Sequence, residues 1–425
     1  MSAARAVAPA LALYFVAVQF YASLAALSPT PPVGYAFLGR TGAALLAAGL
    51  ALAALTCAAA LARDGALPAL VRQRALTDAS ASRDLLAAWI GAALLSSLLG
   101  LDPLSGIQVV ASMLLGACFH VALVRFYRRP RVAGTLVAAY LWTGLIASLL
   151  GIAMVLTHVP AELYATANGR AAGFFLNANQ FAEFLDLFVL LALGIALGDR
   201  PAKQRLLALS GALAGGVALL LTFSRESLAG AAAGAVFLAF VLGRRRTAGA
   251  LAAIALAAGL GLTLRPFPHH DPSDSFSRLR TLESGLRAGS LFPLTGVGPV
   301  AYWRVYPAIR PVNGAAPGTF AALHPHDVYL SAAAELGLVG LAAAAFGWVR
   351  FTSVLRRRWS GTTQPDRALA AGVCAGFVAL AVSGVFDTIA IVQMTFIWIP
   401  YSALALAAVR SAEPGEVPQP VNAAI

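Results

Sequence analysis

The sequence predicts an all-α polytopic membrane protein of about twelve transmembrane helices with one large, partly helical loop on the outer side. Three observations predict it. Of 425 residues, 60% are hydrophobic and 11% are charged, where a soluble domain carries roughly a quarter charged residues. Apolar stretches recur at lengths near 20 residues, enough to cross a bilayer core about 30 Å thick. The links between them alternate between basic and charge-poor, which is a topology signal. A net charge of +12, carried almost wholly by arginine with Lys203 the sole lysine, is therefore read as membrane orientation and not as a nucleic-acid surface.

The apolar runs place spans at roughly 8–27, 41–62, 84–101, 105–125, 132–156, 177–198, 205–223, 227–243, 247–264, 327–350, 366–386 and 390–410. The first run begins after Arg5, is long and is followed by further apolar segments, so it reads as a span and not as a cleavable leader. RDGALPALVRQRALTDASASR (63–83), RFYRRPR (125–131), DRPAKQR (199–205), GRRR (243–246) and RFTSVLRRRWS (350–360) are the basic links. The positive-inside rule puts these, and both termini, in the cytoplasm. The links at 28–40, 157–176, 224–226 and 265–326 then lie outside. The chain divides accordingly into nine spans in 1–264, the large exterior loop 265–326, three spans in 327–410 and a cytoplasmic tail 411–425. Cys57, Cys118 and Cys374 all fall in apolar segments, as small core residues with no disulfide or metal spacing.

Two exterior sites break the charge rule. In LTFSRESLAG (221–230), Arg225 stands in a very short link between two apolar helices. Arginine near a helix end can snorkel to water, but a boundary ionisable residue is also a functional candidate. The large loop carries Arg265, Arg278, Arg280, Arg287, Arg304 and Arg310 against Asp271, Asp274 and Glu283. Excess exterior arginine suggests an anionic ligand, because the planar guanidinium binds two phosphate oxygens at once.

In this topology the helices starting near 177, 227 and 327 all run inward from the exterior face. Their free N–H groups and positive dipole ends point outward, a setting that favours anions. Ser224 and Asp327 are good N-cap types. Asn177, Asn179, Arg225, His324 and His326 flank the three starts. Convergence of these starts would make a phosphate cradle beside an imidazole.

Other polar features weigh less. PLTGVGPVAYW (293–303) has glycines for a tight turn before an aromatic, helical segment, but no strand precedes it to support a nucleotide-binding turn. RPFPHHDPSD (265–274), with His269 and His270, reads as a hydrated linker. No Asp-x-Asp pair occurs outside, so a metal-dependent glycosyl transfer has no obvious ligand set, and no metal or cofactor is expected. Glu335 lies inside an apolar run and Asp387 near the exterior end of another; each suits a structural ion pair as well as chemistry.

HPHDVYLSAAAELGLVG (324–340) has His326, Asp327, nine residues, Gly337, two residues and Gly340 ahead of a hydrophobic helix. This resembles the signature of the O-antigen ligase family, whose usual form has Asn, Ser or Gln after the histidine. GFFLNANQFAEFL (173–185) is similar to the family's Asn-containing helix start, and LTFSRESLAG to its Ser-Arg turn. The stretch from Arg278 through Pro293 to GVG (296–298) is similar to its large-loop pattern, with Leu282 near the place of a frequent tryptophan. By motif the resemblance covers about 170–345.

The resemblance implies a glycosyltransferase of GT-C-like architecture in the inner membrane of a Gram-negative bacterium, active at the periplasmic face. Its donor would be an O-antigen glycan on undecaprenyl diphosphate and its acceptor a sugar hydroxyl of the lipid A–core. A diphosphate is already a good leaving group, so its developing charge needs stabilising. Arg225, Arg265, Arg278, Arg280, Arg287 and Asn179 would hold it, with Arg225 and Arg278 acting in the transition state. His326 would be the base for the incoming hydroxyl, since a free imidazole, with a pKa of about 6.5, suits proton transfer near neutral pH. The glycines after it are expected to be packing residues. An O-antigen polymerase is the alternative within the superfamily. A twelve-helix secondary transporter fits the hydropathy, but no half-to-half repeat is visible and the polar residues gather at one face.

Overall fold

The computed structural model describes residues 3–19, 39–64, 78–173, 175, 177–247, 273–309, 324–385 and 391–409, which are helical with no strand. The helices are α1 (Ala3–Gln19), α2 (Gly39–Arg63), α3 (Asp78–Leu99), α4 (Pro103–Phe126), α5 (Pro130–Thr157), α6 (Ala161–Thr166), α7 (Ala178–Leu197) and α8 (Ala202–Leu221). They continue with α9 (Arg225–Val241), α10 (Ser273–Leu291), α11 (Tyr302–Ile309), α12 (Val328–Arg358), α13 (Gln364–Ser383) and α14 (Ile391–Ala408).

Among the described residues, six helices are long and apolar enough to cross a membrane: α4, α5, α7, α8, α12 and α13. Helices also stand where spans are expected for α1, α2, α3, α9 and α14. The span expected at 247–264 lies outside the described residues, as do Arg265, His269, His270, Arg310 and Asp387. In the large loop, α10 and α11 supply the expected helical character.

The centre of the bundle is α7, whose Phe181 and Phe188 are fully buried. Phe188 seats against Gly144 of α5 and Gly211 and Gly215 of α8, and Phe181 against Gly151 of α5. Lipid tails are as apolar as these side chains, so close fit and dispersion hold helices together here in place of transfer from water. Backbone contact follows the same logic on the other side. Gly194 of α7 meets Ala368 and Gly372 of α13, while Gly230 and Gly234 of α9 meet the Ala379 and Ala375 carbonyls of α13. A methyl added at any of these three glycines would sit 2.5–2.6 Å from α13 backbone oxygen.

The register of these contacts positions the site. Gly194 pairs with Ala368 and Leu187 with Gly376, so α7 and α13 are antiparallel. The pairs Gly234–Ala375 and Gly230–Ala379 make α9 antiparallel to α13 as well. The start of α12 joins the end of α13 directly, with Val328 N–H donating to the Gly384 carbonyl at 2.8 Å and the Tyr329 hydroxyl to the Ala381 carbonyl at 2.9 Å. Helices α7, α9 and α12 therefore all begin at the C-terminal end of α13.

Helix α12 departs from expectation twice. It runs on to Arg358, so the basic run expected as a link forms its last turns, with Arg356, Arg357 and Arg358 at the end where the helix dipole favours cations. It is also broken at Gly337, which has φ 61° and ψ −163°. Gly337 is thus a helix breaker, where the sequence suggested a packing residue.

Candidate functional site

At the start of α7, the Asn177 side chain accepts the Gln180 N–H at 2.8 Å and caps the helix. Two residues on, Asn179 is engaged on both sides of its amide. Its Oδ1 accepts from Arg170 Nη2 at 2.6 Å and its Nδ2 donates to Glu226 Oε1 at 3.2 Å. Arg170 Nε also donates to the Thr222 carbonyl at 2.6 Å, and the Ala171 N–H to the Leu221 carbonyl at 2.9 Å. The segment before α7 is thereby fastened to the link between α8 and α9.

That link is Thr222, Phe223 and Ser224. Phe223 has φ 51°, a left-handed conformation that costs a non-glycine residue about 1–2 kcal/mol and persists because the surroundings over-determine it. Ser224 occupies the cap position of α9 without a side-chain cap bond, contrary to expectation; its backbone N–H instead turns back to the Thr222 hydroxyl at 3.2 Å. Arg225, the first residue of α9, is exposed. Beneath it Glu226 is buried, as is Asp186 of α7, which faces Ser227 and Glu226.

The start of α12 is built similarly. His326 is half-buried with φ 54°, a second left-handed residue just ahead of a helix. Its ring meets that of His324 edge-on, with centroids 4.5 Å apart. Pro325 between them is buried against Gly285 of α10, where a methyl would approach Pro325 Cβ to 2.7 Å. Asp327 caps α12 by accepting the Leu330 N–H at 2.8 Å. This explains the departure from the family pattern: Asp does the capping work of Asn or Ser.

The glycines of PLTGVGPVAYW meet the break in α12. Leu338 and Val339 N–H donate to the Pro293 and Leu294 carbonyls at 2.9 and 3.0 Å, while Val297 and Gly298 N–H donate to the Ala334 and Glu335 carbonyls at 2.8 and 3.0 Å. Ser96 Oγ donates to the same Glu335 carbonyl at 2.7 Å, and Leu101 N–H to the Val297 carbonyl at 2.8 Å. Backbone freed by unwinding is thus satisfied by other backbone, as a broken helix inside an apolar bundle requires. Gly296, at φ 69°, lies so close that a methyl on it would come within 2.2 Å of the Glu335 backbone. Glu335 itself is buried there, with Val300 N–H facing its carboxyl.

Helix α10 is therefore held at Pro325 and, through 293–298, at the break. It carries Arg278 and Arg280 in its first half. Arg287 pairs with Glu283 one turn earlier, at 2.5 Å, and donates to the Ile309 carbonyl at 3.4 Å. Arg304 is committed elsewhere: Nε and Nη2 both bond Asp102 Oδ2, at 2.9 and 2.6 Å, and the guanidinium lies over Trp303. The sequence count of loop acids omitted Asp102, which belongs to the α3–α4 link, so Arg304 leaves the expected anion-binding set. The Arg304 bond is the chief cause holding the Asp102 carboxyl below its ordinary pKa.

The end of α13 thus brings together Asn179, Arg225 and His326, each at a helix start, and the α7 and α9 starts touch through Asn179 and Glu226. Sequence reasoning missed Arg170. It had a signal, since Arg170 is another arginine in a link expected outside. Glu226 and Asp186 had only their neighbours' apolarity to mark them.

Residues 210–345 match the family model described as O-Antigen ligase. No curated protein matches the chain significantly. The matched segment runs from α8 into the first half of α12 and contains the Ser224–Arg225 turn, α10, the GVG turn and His326. The resemblance to the O-antigen ligase family is thereby shown for this segment. Members of this family are glycosyltransferase-like enzymes acting on lipid-linked glycans.

Proposed function

We propose that this chain, with its O-antigen ligase segment at 210–345, is an inner-membrane glycosyltransferase working at the periplasmic face. It transfers an O-antigen glycan from undecaprenyl diphosphate to a sugar hydroxyl of the lipid A–core. The observation that carries the reading is the shared location of three helix starts at the end of α13, one bearing Arg225 and another His326.

The reaction is a direct displacement. The acceptor hydroxyl oxygen forms a bond to the anomeric carbon as the bond from that carbon to the diphosphate oxygen breaks, inverting the centre. The hydroxyl proton passes to the His326 imidazole, and the bonding pair leaves with the diphosphate. Arg225 and Arg278 meet the charge that grows on the leaving oxygen, while Arg280, Arg287, Arg265 and Asn179 complete the donor site. Fixed guanidinium groups and helix N-termini stabilise that charge without reorganising at the moment of reaction. Arg287 enters by exchanging Glu283 for phosphate, a modest cost because an exposed ion pair contributes about 0–1 kcal/mol.

The test is transfer by purified protein from a polyprenyl-diphosphate glycan, in EDTA, to lipid A–core or to a second lipid-linked glycan. Labelled lipid A–core supports the ligase, and labelled lipid-linked glycan would make it a polymerase. Full activity of both His326→Ala and Arg225→Ala would overturn the assigned roles. Loss of wild-type activity in EDTA would overturn metal independence.

A further inference from the structure

We propose that Arg170 is a positioning residue for Arg225, acting through Asn179 and Glu226. The whole link between α8 and α9 is three residues long, and Arg170 reaches both sides of it. On one side its Nε holds the Thr222 carbonyl at 2.6 Å. On the other its Nη2 holds Asn179, whose amide passes the contact to the Glu226 carboxylate. Arg225 lies between these anchors, preceded by the strained Phe223.

The chemistry of the contact requires arginine. Nε and Nη2 lie on one edge of a rigid plane and present two N–H groups at a fixed angle. A lysine ammonium can bond either acceptor but does not set the angle between them. The charges of Arg170 and Glu226 also offset each other across Asn179. The chain of contacts therefore fixes the backbone of the turn, leaving Arg225 as its outward-facing residue. Arg170 precedes the segment matched to the family, so its role comes from the bonds alone.

This inference rests on the proposed role of Arg225, so Arg225→Ala is measured first. Full activity of that variant would overturn the role of Arg225 and this inference with it. Given its loss, Arg170→Ala and Arg170→Lys are assayed alone and combined with Arg225→Lys, which is expected to keep measurable activity because it retains the cation. Arg170→Ala is expected to lower kcat on the order of ten- to a hundredfold, the scale of a displaced catalytic group, with donor KM changed less. Arg170→Lys is expected to fall between it and wild type. In the Arg225→Lys background the same changes are expected to cost less than about twofold, because residues acting as one unit are not additive. Losses that multiply independently in the two backgrounds would overturn the proposal, as would an unchanged kcat for Arg170→Ala. If Arg170→Ala does not fold, judged by gel filtration and thermal midpoint, Arg170→Lys carries the same comparison.

Discussion

The two ends of the helical bundle handle charge differently. At the end where α13 begins, aspartates meet arginines directly and staple neighbouring helices. Asp64 after α2 takes Arg125 and Arg129 from α4 and the link beyond it. Asp84 of α3 takes Arg350 of α12 at 2.6 Å, and Asp366 of α13 takes Arg200, before α8, at 3.0 Å. Toward the end where α13 finishes, direct pairs also occur, Arg304 with Asp102 and Arg287 with Glu283, and the helix starts add contacts of another kind. Arg170 and Glu226 are joined through an amide, two histidines meet each other, and Arg225 is exposed at a helix start. One end uses its arginines to close the fold; the other does so too and also sets polar groups beside helix N-termini, where the dipole favours anions.

The comparison breaks most sharply under substitution. His326→Ala and Arg225→Ala are expected to lower transfer by at least about a hundredfold, as loss of a general base or of leaving-group stabilisation does, with little change in thermal midpoint. Unchanged rates would erase the distinction between the ends. Gly337→Ala and Gly296→Ala follow. Each forces a side chain into a left-handed position, at about 1–3 kcal/mol of strain, and each meets backbone within 2.5 Å. Both are expected to lower the thermal midpoint and activity together, measured on the same preparations.

At the opposite end, Arg200→Ala is expected to destabilise without altering the chemistry. Arg200 is buried while Asp366 is about a quarter exposed, so the loss is placed at about 1–3 kcal/mol, below that of a fully buried pair. A fall in kcat at unchanged KM would refute the separation of roles. The smallest effect concerns Asp102. Its folded pKa lies below the unfolded value of about 3.9, so its contribution is present above that pH. It is lost as pH falls through the lower folded value. The midpoint of Asp102→Asn is therefore expected to vary less with pH below about 4 than that of wild type, read by melting curves across the acid range.

Much of this architecture was legible because apolar runs of membrane length leave few alternatives. Ser224–Arg225, Asn179 and His326 stood out as polar residues where such runs begin, and Asp327 could be read as a cap from its type. What was not legible depended on partners distant in sequence. Arg304 looked available because Asp102 lies about two hundred positions away in a link with no other charge. The common start of α7, α9 and α12 follows from glycine contacts along α13, which hydropathy does not encode. The break at Gly337 was hidden because its neighbours stay apolar on both sides. Ser224 shows the reverse failure: a good cap type whose backbone turned elsewhere.

The break also makes α12 a ruler. Nine helical residues separate the Asp327 cap from Gly337, and the residues on either side of Gly337 are pinned to the loop by four backbone hydrogen bonds. Each helical residue advances the chain 1.5 Å and turns it by about 100°. One inserted or deleted codon between Val328 and Leu336 would swing His326 to another side of the helix, however conservative the residue. This stretch is therefore expected to tolerate many exchanges of one small apolar residue for another and no change in count. In a library of single-residue insertions, deletions and substitutions scored by surface glycan, length variants here would vanish while most volume-conserving substitutions survived.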